Sequence, residues 1–127
     1  MTVTYANYLK TEELLGLQTP LSDGPEHDEM LFIIIHQVHE LWFKQIIHEL
    51  TQMQKNLASR SIHEAQHNLG RVRTILKTIV SQVDILETMT PLSFGSFRDR
   101  LQTASGFQSV QFRALEFMMG KKTERSI

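Results

Sequence analysis

The stretch His27-Asp28-Glu29-Met30-Leu31-Phe32-Ile33-Ile34-Ile35-His36-Gln37-Val38-His39-Glu40-Leu41-Trp42-Phe43-Lys44 is too apolar for a surface helix, yet it holds three histidines and the only tryptophan. An imidazole carried into apolar surroundings needs a hydrogen-bond partner, so such a helix marks either a satisfied core histidine or a site. Phe32 and His36 lie four apart and share one helix face. Together they offer an aromatic surface beside a group that exchanges a proton near neutral pH.

A second pattern, His63-Glu64-Ala65-Gln66-His67, reproduces the H-E-x-x-H of zinc hydrolases. There, two histidines one turn apart bind zinc and the glutamate activates water. Here Glu64 is the third residue of a helix capped by Ser61, the turn is polar and exposed, and no third ligand lies nearby. We read the pattern as a chance match and expect no metal ligand in this chain. His39 and His48 read as structural, His27 as a capping or loop residue, and Trp42 as core.

The elements that must position these residues are helical. Three prolines and six glycines leave long uninterrupted stretches. A short first segment over about Tyr5 to Leu17 groups Tyr5, Tyr8 and Leu9 on one side, then enters a turn-rich stretch from Gln18 to Pro25. A second helix starts near Pro25 to Asp28, with Glu26, Asp28 and Glu29 complementing its positive end. It runs to about Leu57, and its apolar width predicts burial on several sides. The third opens with a capping box, Ser61 to Glu64. Its seam is Leu69, Val72, Leu76, Ile79, Val83 and Leu86, with Arg71, Arg73 and Lys77 on a solvated face. Thr90-Pro91 breaks it. A short fourth helix carries Phe94, Phe97, Arg98 and Leu101. A second capping box, Ser105-Gly106-Phe107-Gln108, opens a fifth helix ending near Gly120. The pattern predicts an all-α helical bundle of about five helices, with residues 1–127 as one domain. Residues 1–20 form an N-terminal arm, and 121–127 a frayed tail.

Bulk properties narrow the function classes. The length of 127 residues suits one domain burying about 65% of its unfolded surface. A net charge of −1 gives no basis for nucleic acid or an anionic membrane as partner. Absence of cysteine excludes disulfides and thiolate metal sites and fits a cytoplasmic protein. The longest apolar run, Met30 to Ile35, falls far short of the roughly 18 residues of a membrane span, and no signal peptide is visible.

Three stretches taken together carry a resemblance. They are Tyr5-Ala6-Asn7-Tyr8-Leu9, the segment from His27 to Lys44, and the run from Leu86 through Phe97-Arg98-Asp99 to Arg113. In order and spacing they resemble the N-terminal part of the tryptophan 2,3-dioxygenase family, over nearly the whole chain. The resemblance implies an all-helical homotetramer using haem b and dioxygen to cleave the indole C2–C3 bond of L-tryptophan. The product is N-formyl-L-kynurenine, in the first step of the kynurenine route. It implies that His36 is the distal histidine that hydrogen-bonds the indole N–H, and that Phe32 lines the indole pocket. Arg98 resembles the arginine that clamps the substrate carboxylate, with Phe94 beside it where some members carry a tyrosine. Tyr5, Tyr8 and Leu9 resemble residues that reach into a neighbouring subunit's pocket. Leu101 falls at a pocket position, and Ser105 and Gly106 resemble a loop near the haem.

These residue types suit that chemistry. A neutral imidazole accepts a hydrogen bond from the indole and orients the ring. A guanidinium matches a carboxylate in two places, so Arg98→Lys is not conservative. The family's chain is longer, and none of the six histidines here matches its proximal haem ligand, so the 127-residue chain by itself is expected to be inactive. An exposed apolar face is then expected to drive oligomerisation. The competing reading is a non-catalytic helical module that binds a partner chain.

Overall fold

The computed structural model describes residues 2–22, 26–95 and 109–120. They form six helical elements and, among the described residues, no strand: α1 (Tyr5–Leu9), α2 (Thr11–Leu15), α3 (His27–Ala58), α4 (Ile62–Leu86), α5 (Pro91–Gly95) and α6 (Val110–Met118). The first segment is thus two short helices rather than one. Thr4 caps α1 through a reciprocal box with Asn7, and Lys10 then turns left-handed (φ 54°) to separate α1 from α2.

The long helices α3 and α4 make an antiparallel hairpin onto which α6 packs. Their turn is a Schellman motif: the Ser61 N–H donates to the Asn56 carbonyl (2.7 Å) and the Arg60 N–H to that of Leu57 (3.1 Å). The residue at the left-handed position is Arg60, at φ 62°, where glycine carries no steric cost. Arg60→Gly is expected to stabilise the chain by about 0.5–1 kcal/mol in urea unfolding.

The core lies between α3, α4 and α6. Ile46 (0% exposed), Leu50, Val72, Ile75 and Leu115 form its centre, and Trp42, Phe43, Leu76 and Ile79 pack around it. Trp42 is therefore a core residue, as its sequence suggested.

The seam of α4 differs from the apolar letters in the sequence. Ala65, Asn68, Val72 and Ile75 are buried, whereas Leu69 and Val83 are 54% and 38% exposed. The half-buried Ile79, Gln82 and Leu86 continue the same three- and four-residue steps. The polar residues Asn68 and Gln82 thus stand at seam positions that a purely apolar pattern passes over. Asn68 Oδ1 is satisfied by Asn56 Nδ2 at 2.7 Å.

Four further expectations are corrected. Ser61 occupies the N-cap position but makes no side-chain cap bond; its hydroxyl meets that of Ser59 at 3.1 Å instead. Arg71 is not merely solvated, since it pairs with the 4%-exposed Glu49 at 2.9 Å. Helix α6 starts after Ser109, which caps Phe112, rather than at Ser105. And α3 is not buried on several sides: Met30, Ile34 and Leu41 are at least 40% exposed. No helix among the described residues is long and apolar enough to cross a membrane.

Candidate active site

The face of α3 that carries Phe32, His36, His39 and Phe43 repeats at steps of four, three and four residues, so these side chains stack along one line. They form an aromatic ladder. Phe94 of α5 lies 5.8 Å from the Phe32 ring, and Phe32 lies 4.3 Å from His36. His36 is 6.4 Å from His39, His39 is 6.3 Å from Phe43, and Phe43 meets Phe112 of α6 at 5.6 Å. The two short helices therefore cap the ends of the ladder, and α3 sets its spacing.

His36 is half-buried, and its Nδ1 lies 2.7 Å from the Phe32 carbonyl oxygen. A carbonyl only accepts, so Nδ1 carries the hydrogen and, in the neutral ring, Nε2 is the acceptor. The backbone one turn back thus fixes the tautomer. His36 also borders an open groove of 320 Å³, lined further by Leu14, Leu17, Gln37, Glu40 and Leu41.

Helix α6 is fastened beside this site. Gln111 Nε2 donates to the Glu40 carbonyl (2.8 Å) and to Glu40 Oε2 (2.9 Å). His39, next to Glu40 in the chain and between His36 and Phe43 in the ladder, has its Nε2 buried without a hydrogen-bond partner. Burial pushes its pKa below the ordinary value, nearby His36 pushes the same way, and Glu40 opposes both. The unfolded chain then binds more protons than the folded one between the ordinary value of about 6.5 and the lowered one. Stability should accordingly fall as pH drops below about 6.5 and level off once the folded-state value is passed. His39→Phe keeps the ring, removes the unsatisfied nitrogen and should flatten this acid slope in urea unfolding at pH 7.5 and 5.5.

The structure brings together three residues singled out in the sequence: Phe32, His36 and Phe94. It leaves Tyr5, Tyr8 and Leu9 away from them, exposed by 77%, 75% and 46% on α1. Arg98, Leu101, Ser105 and Gly106 lie outside the described residues, as does the tail. His63 and His67 are exposed, and His67 Nε2 lies 3.4 Å from an Arg71 nitrogen. Among the described residues no group of three or more His, Cys, Asp or Glu is placed to hold a metal.

Sequence reasoning missed Glu29, Gln37, Gln18 and Gln111. Glu29 is 1% exposed, and its carboxylate accepts from the backbone N–H groups of Leu21 (2.8 Å) and Ser22 (3.1 Å) and from the Ser22 hydroxyl. One signal was available, because Glu29, Phe32 and His36 follow at helical spacing on one side of an apolar helix. The amides gave none, since their partners are backbone groups, each other and, for Gln111, the carboxylate of Glu40 far away in sequence.

Comparison with known proteins identifies the family of the chain. The family model described as tryptophan 2,3-dioxygenase matches residues 1–127. A protein of Herpetosiphon aurantiacus named tryptophan 2,3-dioxygenase is 61% identical over 120 residues, covering 94% of this chain and 46% of its own length. One from Anaeromyxobacter sp. is 56% identical over 98% of this chain and 46% of its own. One from Aedes aegypti is 48% identical over 97% of this chain and 33% of its own. The chain thus spans about half the length, or less, of the curated relatives it matches. Whole-length agreement with the family model, and these identities, place the chain in the tryptophan 2,3-dioxygenase family.

Proposed function

We propose that this chain supplies the substrate-side wall of a haem-dependent tryptophan 2,3-dioxygenase, which cleaves the indole C2–C3 bond of L-tryptophan with dioxygen to give N-formyl-L-kynurenine. The single observation that carries the reading is the His36 tautomer. With Nδ1 committed to the Phe32 carbonyl, the neutral ring presents Nε2 as an acceptor for an N–H donor.

The residues present suit one side of a haem site. The ladder presents aromatic rings and carries a fixed acceptor. Bound haem b supplies the activation of dioxygen. The chain's own residues bind and orient. His36 Nε2 accepts the indole N–H, and Phe32 packs against the indole ring. Phe94 extends that wall and, having no hydroxyl, adds no hydrogen bond of its own. The apolar rings keep water away, which strengthens the polar contact. By the family resemblance, Arg98 would hold the substrate carboxylate as a planar fork and Leu101 would contribute to the same pocket. Ser105 and Gly106 would help to hold the haem. Tyr5, Tyr8 and Leu9 reach a neighbouring copy's pocket in a homotetramer, which their exposure permits. The assembly works in the cytoplasm.

A second reading, a helical module that only binds a partner chain, is favoured by the apolar groups left exposed on α4. Leu69, Val80 and Ile85 are 54%, 69% and 49% exposed. The two readings separate when haem and L-tryptophan are added to the chain together with the remaining part of a full-length family member. Haem uptake in the Soret band with formation of N-formyl-L-kynurenine, lost in His36→Ala, supports catalysis. Absence of both leaves the partner-binding module.

A further inference from the structure

We infer that Glu29 and Gln37 are positioning residues that strap residues 17–22 onto α3 of the same chain, so that the apolar wall beside His36 is supplied in cis and only α1 reaches a second copy. The inference rests on His36 facing the substrate, and it adds which part of the arm belongs to which copy.

The strap is fixed at both ends. At one end the Glu29 carboxylate, almost wholly buried, accepts from Leu21 N–H, Ser22 N–H and the Ser22 hydroxyl. A carboxylate removed from water in this way depends on such donors, and charge-assisted bonds of this kind are the strong ones. At the other end, two turns further along α3, Gln37 Nε2 donates to the Leu17 carbonyl (3.0 Å). Gln37 Oε1 accepts from Gln18 Nε2 (3.0 Å), which also donates to the Leu14 carbonyl (2.9 Å). The two clamps bracket Phe32 and His36.

Between the clamps the arm has no freedom to swing away. Leu14 and Leu17 are thereby held as the wall of the His36 groove opposite Leu41. The part beyond Lys10 differs. Helix α1 touches α2, and Val3, Tyr5 and Tyr8 remain at least 74% exposed. The left-handed Lys10 therefore marks the boundary between a fixed strap and a free segment.

The chain has no cysteine, so a Leu17→Cys/Leu41→Cys variant, which leaves both clamps intact at residues lining the same groove, carries the only two thiols. Treated with a short bis-maleimide, it should link within one chain and run as a monomer on a denaturing gel, whatever the native oligomer. A linked dimer would overturn the inference, and so would full modification of both thiols without any link. A second variant, Glu29→Gln, keeps the shape but sets an amide among donors. Hydrogen exchange at Leu21 and Ser22 should accelerate about tenfold or more while α4 stays protected. The His36 tautomer should be unchanged. Exchange equal to that of the unaltered chain would sink the strap, as would equal loss of protection along α4. Neither readout needs haem or substrate. Failure of the strap therefore leaves the role of His36 standing, and failure of tryptophan oxidation leaves the strap standing.

Discussion

Replacing His36 by alanine is expected to lower kcat/KM for L-tryptophan by about a hundredfold in the haem-loaded protein, with the fold intact. The size follows from what the imidazole does. In the proposed role its Nε2 orients the indole, and loss of orientation at a reacting ring costs far more than loss of one contact. The stability effect should be small, because the Nδ1 bond is local to one helical turn and the ring is only half-buried. His36→Phe separates the acceptor from the ring. It keeps an aromatic group beside Phe32 yet offers no acceptor, so it should be as impaired as His36→Ala. Steady-state kinetics with circular dichroism on each variant checks this. Full activity in His36→Phe would show that only packing matters there.

Ile46→Ala is expected to be the most damaging single change to the fold. Ile46 is completely buried and belongs to the cluster in which α3, α4 and α6 meet, with Leu50, Val72, Ile75 and Leu115. Truncation removes three carbons from water-free packing and leaves a cavity that the long helices cannot close. The cost should be about 2–5 kcal/mol, against about 5–15 kcal/mol of total stability for a domain. The melting temperature should fall by about 10 °C or more. Ile34→Ala, on the same helix but 42% exposed, should cost under about 1 kcal/mol. Parallel thermal melts of the two variants distinguish core from surface on α3.

Part of the ladder was legible in the sequence, because helical spacing places Phe32 and His36 on one face; His39, read as structural, and Phe43 extend the same line. The two long helices were legible from their periodicity, with ends expected near Leu57 and Leu86 and found at Ala58 and Leu86. What escaped was polar. The α4 seam uses Asn68 and Gln82 where an apolar pattern looks for leucines, so Leu69 and Val83 were assigned inward. The capping box at Ser61 matched in letters, but Ser59 competes for the hydroxyl. Glu29 looked like a dipole-complementing carboxylate and is instead the buried anchor of a loop. Asn68 and Glu29 in particular chose a side chain on another element and loop backbone as partners, which residue spacing does not encode.

The hydrogen bond from the indole N–H to His36 Nε2 is tested most directly by an isosteric ligand. The affinities of L-tryptophan and of 3-benzothienyl-L-alanine, in which sulfur replaces the N–H, should be measured for the haem-loaded protein and its His36→Ala variant. The unaltered protein should prefer tryptophan by about tenfold, the worth of one hydrogen bond in a water-poor site, and His36→Ala should bind the two alike. An equal preference in both proteins would contradict the role assigned to His36.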